Sequence, residues 1–220
     1  INRRQSIFYS PPVTAIGVSL GYAGMTAGLS LLLGLPTAFA LVRSNNRLNR
    51  LLDPLLMLPL GTSAVTLGLG FIVALDQPPL DLRASWLLVP LAHTLVAYPF
   101  VVRSLTPALR SLRPKLRQAG AVMRASPPQV FLHIDLPMVG RAVTVAATFA
   151  FTISLGEFGA TTLLARPEYP TLPVAIYRFI SQPGAMNYGQ AMALSTLLML
   201  ITAAGMLAIE RWRIAEIEEF

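Results

Sequence analysis

Five stretches of this chain are apolar for about the length a helix needs to cross a bilayer, and this limits the fold more than any motif does. A spanning helix takes about 20 mostly apolar residues. Residues 13–42, 54–75, 84–102, 143–165 and 191–209 each meet that requirement. The first is long enough to tilt or to project beyond the membrane. Composition agrees: 54% of the 220 residues are hydrophobic and only 12% are charged, where a soluble domain carries about 25% charge. The sequence therefore predicts an all-α integral membrane protein with about five transmembrane helices, organised as a single domain over residues 1–220. The 18 prolines fit this class, because neighbouring helices and hydroxyls re-satisfy the carbonyls that proline frees.

The net charge of +7 would suggest nucleic acid in a soluble protein. Here the cations sit between apolar runs, so they report topology, and no nucleic-acid partner is expected. Arg43, Arg47, Arg50, Arg103, Arg110, Arg113, Lys115, Arg117, Arg124, Arg141, Arg211 and Arg213 fall on one side of a five-span arrangement. Arg3, Arg4, Arg83, Arg166 and Arg178 fall on the other. Twelve against five predicts that the first side is cytoplasmic, with the N-terminus outside and the C-terminus inside. Residue 1 is Ile, and a chain that starts outside without a signal of its own calls for an upstream span. With no cysteine in the chain, disulfides, zinc–thiolate sites and cysteine nucleophiles are excluded.

Two connections are long: residues 103–141 on the cytoplasmic side and 166–190 on the other. Within the first, residues 109–137 read LRSLRPKLRQAGAVMRASPPQVFLHIDLP. Residues 115–124 suit one helix. Ser126 followed by Pro127 suits the N-cap and first turn of a second, over 127–134. Such a helix–break–helix forms a knob whose small residues allow a partner to approach closely. His133 within it reads as a solvated interfacial residue. Within the second connection, residues 174–180 form a short apolar piece. Tyr169, Tyr177, Phe179 and Tyr188 around it suit a membrane–water interface.

The cytoplasmic segment resembles the coupling loop of the permease subunits of bacterial binding-protein-dependent ABC importers. Gln118, Ala119 and Gly120 stand at that family's Glu-Ala-Ala. Arg124, Ala125, Ser126 and Pro127 stand at its Gly-Ala-Ser stretch, and Leu136-Pro137 at its closing Leu-Pro. Two residues depart from the pattern: Gln118 replaces the acid and Arg124 replaces the glycine. A glycine allows a sharp turn with positive φ, which arginine resists. Arg124 therefore predicts either a different turn or weakened coupling in this half of an unequal pair. Gly156-Glu157-Phe158-Gly159-Ala160, followed by Arg166-Pro167-Glu168-Tyr169-Pro170, resembles the iron(III)/thiamine branch. There two permease modules are often fused, and this chain would be the second.

The resemblance implies an inner-membrane permease without an ATP site of its own. Its partners would be ABC ATPase subunits, a second permease module and an external solute-binding protein, with the lipid bilayer around it. Iron(III) is the first choice of solute and thiamine the second. No cofactor or metal is expected, since one carboxylate with no clustered His or Tyr makes a poor iron site.

Glu157 is the one acid well inside a predicted span. A buried charge there faces a bundle interior or a cavity. With Gly156 and Gly159 permitting a helix break beside it, it is a candidate for lining or gating the translocation path. The bland alternative is a structural hydrogen bond. Thr152, Ser154 and Thr161 are its polar neighbours in sequence. His93 reads as an interhelical hydrogen-bonding residue, and Pro99 as a kink. Gly17, Gly21, Gly24 and Gly28 have the spacing of close helix packing. Two other classes compete. An intramembrane enzyme needs a serine brought to His93. A secondary transporter or channel would work without ATPase partners and would show inverted repeats.

Overall fold

The computed structural model describes residues 12–43, 53–75, 82, 85–112 and 122–218. Among these residues every regular element is helical. In chain order they are α1 (Pro12–Arg43), α2 (Leu58–Gly61), α3 (Ala64–Leu75), α4 (Leu88–Ser111), α5 (Pro127–Val130), a π-helical turn (Phe131–Asp135), α6 (Leu136–Met138), α7 (Gly140–Gly156), α8 (Gly159–Leu164), α9 (Leu172–Ile180) and α10 (Ala185–Glu218).

Three helices are long and apolar enough to cross a bilayer, at Val13–Arg43, Leu88–Ser111 and Ala185–Ala208. A fourth candidate is the pair Phe131–Met138 and Gly140–Gly156, bent by 65°. Five continuous spans are not shown, and two of the expected runs are interrupted. The run over 54–75 breaks at Thr62-Ser63 and leaves α3 too short to span alone. The run over 143–165 breaks at Glu157-Phe158. The helix expected over 84–102 instead runs on to Ser111, unbroken through Pro99 and Pro107. Within the same helix Thr94 donates to the Pro90 carbonyl and Thr106 to that of Val102, both at 2.7 Å.

The core lies where α1, α4 and α7 meet. Ala38, Ala97, Val101, Val102, Leu105, Leu109, Ala146 and Ala150 form its larger part. Small residues bring the backbones close: a Cβ on Gly34 of α1 would fall 2.5 Å from Val101 Cγ1 on α4. A second cluster joins α9 and α10 to α1 through Ala15, Leu172, Ala175, Phe179, Ala191 and Leu194. The Ser19 hydroxyl accepts the Leu172 amide at 2.8 Å and fixes the start of α9 against α1.

Gly17, Gly21, Gly24 and Gly28 do not make the expected contacts within this chain. Each would find nothing within 4 Å of an added Cβ. The buried face of α1 is instead the one carrying Ser19, Tyr22, Ala23, Thr26 and Ser30. Close glycine packing occurs elsewhere. A Cβ on Gly68 of α3 would meet the Ala160 Cα of α8 at 2.9 Å, and one on Gly159 would meet Ala64 Cβ at 3.1 Å. Two short helices, each following a break, thus lie backbone to backbone.

Candidate functional site

The turn before α5 is built locally. Ser126 precedes two prolines, which have no amide hydrogens to satisfy. Its own amide donates to Gln129 Oε1 at 2.8 Å, and its hydroxyl donates to the same oxygen at 2.9 Å. This is the reach-back half of a Ser-x-x-Gln capping box. The Val130 amide then closes the first helical turn onto the Ser126 carbonyl at 3.0 Å. The helix expected over 127–134 is present and longer, continuing to Met138 through the π turn. His133 is exposed, with Nδ1 3.0 Å from the Gln129 carbonyl.

Arg124 has φ +57° and is the one non-glycine residue with positive φ among those described. The sharp turn that a glycine would favour is therefore formed by arginine. The expectation of a different turn is corrected: the turn keeps the positive φ, directly before the Ser126–Gln129 cap. Val122 and Met123 are 84% and 83% exposed, so the turn presents two bare apolar side chains. Ala125 is half-buried, Ser126 exposed, Leu136 half-buried and Pro137 exposed. Gln118, Ala119 and Gly120, and most of the helix expected over 115–124, lie outside the described residues. Behind the turn, Phe131 meets Phe39 of α1 edge to face at 5.3 Å, and Asp135 is buried.

The second assembly lies around Glu157, where α7 ends. Glu157 is extended (φ −70°, ψ 122°), which stops the helix, and α8 restarts at Gly159. Its side chain folds over the new helix. Oε1 accepts the Ala160 amide at 2.9 Å. Oε2 accepts the Thr161 amide at 3.0 Å and the Thr161 hydroxyl at 2.6 Å. The acid thus satisfies donors that the break would otherwise leave bare in an apolar interior. Gly156 is exposed and Gly159 half-buried against α3.

His93 of α4 joins this cap to the rest of the bundle. It is fully buried. Nδ1 lies 2.7 Å from Ser154 Oγ, and Nε2 lies 2.6 Å from Thr161 Oγ1 and 3.3 Å from Glu157 Oε2. The Ser154 hydroxyl also reaches Thr26 Oγ1 of α1 at 3.2 Å. One polar hub therefore ties α1, α4, α7 and α8 together. The sequence marked Glu157, Ser154, Thr161 and His93 separately and missed Thr26. The signal that would have joined three of them is the spacing of Ser154, Glu157 and Thr161, which a continuous helix would place on one face; here the helix breaks at Glu157 and the side chain folds back to join them.

Serine, imidazole and carboxylate do meet here, as the enzyme alternative requires. They are not arranged for acyl transfer. Ser154, His93 and Glu157 are all buried, and the amides of Ala160 and Thr161, which could otherwise stabilise an oxyanion, already hold Glu157. Among the described residues, no three His, Cys, Asp or Glu side chains gather to hold a metal ion.

Residues 30–212 match the family described as binding-protein-dependent transport system inner membrane component. The molybdenum transport system permease protein ModB of Mycobacterium tuberculosis is 34% identical over 89% of this chain and 78% of its own length. ModB of Escherichia coli is 29% identical over 94% of this chain and 95% of its own. A putative 2-aminoethylphosphonate transport system permease protein, PhnV of Salmonella typhimurium, is 29% identical over 86% and 70%. In fold, the chain is similar to a chain of the inward-facing MetNI methionine ABC transporter, with a TM-score of 0.75 at 18% identity over 92% and 94% of the two chains. The chain belongs to the family of binding-protein-dependent inner-membrane transport components.

Proposed function

We propose that this chain is a permease subunit that forms half of the translocation path of an ATP-driven importer for a small oxyanion. The family match over residues 30–212 carries the reading. The solute class follows the relatives, whose names specify molybdenum and 2-aminoethylphosphonate. Neither name supports the sequence expectation of iron(III) or thiamine, which it displaces. The Escherichia coli relative is covered to 95% of its length and so has room for one such module, which lends no support to a fused arrangement.

In this reading the turn at Arg124–Ser126 docks on an ABC ATPase. Gln118, Ala119, Gly120, Ala125, Pro127, Leu136 and Pro137 complete the coupling loop. The exposure of Val122 and Met123 supports it, because bare apolar side chains beside a rigid turn suit insertion into a protein cleft. The break at Gly156, Glu157 and Gly159 is the gate of the path. A second permease module completes the path, and an external binding protein delivers the solute. The coupling turn lies in the cytoplasm, with the N-terminal end of this chain outside.

The test uses the native lack of cysteine. Ser126→Cys is paired with a cysteine in the cleft of the ATPase, in membranes holding the whole complex. Disulfide formation that changes with ATP is the expected result, and no cross-link in an assembled complex overturns the docking. Uptake of molybdate, iron(III) and thiamine by vesicles carrying the complex then decides the solute, with molybdate expected.

A further inference from the structure

We propose that His93 is the positioning residue of the helix break. It holds the Glu157 carboxylate over the start of α8, and so holds α8 in glycine contact with α3. The inference deepens the gate reading above and takes its functional meaning from it.

A carboxylate offers about four lone-pair positions. Three donors serve this one: the amides of Ala160 and Thr161 and the Thr161 hydroxyl. His93 Nε2 stands 3.3 Å from Oε2 and meets that same hydroxyl at 2.6 Å. The buried carboxylate is turned onto the backbone.

The tautomer of His93 follows from its partners. Thr161 Oγ1 gives its proton to Glu157 Oε2 over 2.6 Å, so it presents a lone pair to Nε2 at 2.6 Å. The carboxylate is an acceptor only. Nε2 therefore carries the hydrogen, and Nδ1 faces the Ser154 hydroxyl. The imidazole spans from α7 before the break to α8 after it, anchored on α4. Of the groups touching the carboxylate, it alone belongs to a different helix. The amides and hydroxyl of Ala160 and Thr161 move with α8; His93 does not.

The consequence lies at the α3–α8 contact. Gly68 and Gly159 leave no slack there, since an added Cβ would come within 2.9 Å of Ala160 and 3.1 Å of Ala64. Such a contact forms only while the break keeps one geometry. Without the His93 donor to Thr161, the Thr161–Glu157 pair loses its tie to α4, and α8 can turn about the break.

The test is a disulfide in the whole importer complex. A Cβ at position 159 would stand 3.2 Å from Val65 Cγ2, so the pair Val65→Cys and Gly159→Cys brings two sulfurs within bonding reach. Cross-linking is expected to be fast with His93 present. In His93→Leu it is expected to slow about tenfold, the lower range for losing a hydrogen bond to a charged group. In His93→Gln, whose amide still donates, it is expected to stay within about threefold of the native rate.

Equal rates for His93 and His93→Leu overturn the proposal, as does His93→Gln behaving like His93→Leu. No cross-link in any background overturns it as well. Gly159→Cys crowds Ala64, so the comparison is repeated with the exposed Thr162→Cys alone, read as labelling by a membrane-impermeant maleimide. The same pattern across the three His93 backgrounds is expected, and equal labelling overturns the proposal. If His93 governs the cross-link but ATP does not change it, the gate reading fails while the positioning role stands.

Discussion

The chain is interrupted at two instructive places, the turn at Arg124–Ser126 and the break at Glu157–Phe158, and it resolves them in opposite ways. The turn is exposed and is built by neighbours: a serine amide and hydroxyl on a glutamine three residues away. Water is available for whatever remains unpaired, so a strained arginine is tolerated. The break is buried and recruits residues from across the bundle, with His93 and Thr26 separated by 61 and 128 positions from the serine they share. The difference follows from the surroundings. An unpaired amide in an apolar interior costs a few kcal/mol, whereas at a wet surface it costs almost nothing.

The sharpest way to break this contrast is Glu157→Ala. It leaves two amides, a hydroxyl and an imidazole without their shared acceptor, and a loss of about 3–5 kcal/mol is expected, as for removing one partner of a buried charged network. Thermal unfolding of the purified complex measures it, and a loss below about 1 kcal/mol would show that water reaches the break. Gly68→Val comes next. It drives a branched side chain into the Ala160 backbone, and an overpacking cost of about 1–3 kcal/mol is expected in the same assay.

Smaller effects are expected at the turn. Gln129→Ala removes the reach-back acceptor from an exposed cap, worth about 0.5–1 kcal/mol. Its readout is faster amide exchange over residues 126–130 with global unfolding unchanged. Arg124→Gly relieves about 1–2 kcal/mol of left-handed strain but adds about 0.5–1 kcal/mol of unfolded-chain entropy. The net gain is expected to stay under about 1 kcal/mol, with ATP hydrolysis by the complex unchanged. A large rise in coupled hydrolysis would revive the idea that arginine weakens coupling here. Gly21→Ala, in open space, is expected to leave this chain's own stability within about 0.5 kcal/mol.

How much of this could be read in the sequence depends on the range of the interaction. Long apolar helices were legible, because hydropathy over 20 residues is a local property: α1, α4 and α10 lie where it places them. The Ser126 cap was legible for the same reason, since all its parts lie within four residues. Glu157 was legible as a buried acid beside a break, but not as a helix cap tied to α4, because the histidine beside it is on another helix. The break in the run at 54–75 is not legible, because Thr62-Ser63 is too mild an interruption to lower mean hydropathy, though it ends a helix. The glycines of α1 were misread because spacing identifies a smooth face but not what lies against it. Gly68 and Gly159, which do touch, share no spacing motif at all.

The separations within the hub also carry a meaning in time. Thr26 emerges from the ribosome 128 residues before Ser154. At about 5–20 residues per second, that interval is roughly 6–26 s. During it α1 is already made while its polar stripe has no partner from the other helices. Its threonine can bond the carbonyl one turn back in its own helix, as Thr37 does to Leu33 at 2.7 Å. The hub closes only when Thr26 meets Ser154, after the helices bearing His93 and Thr161 have arrived. A buried polar cluster in a membrane protein therefore also has an order in time: Thr26 gains its long-range partner only when the later helix is in place.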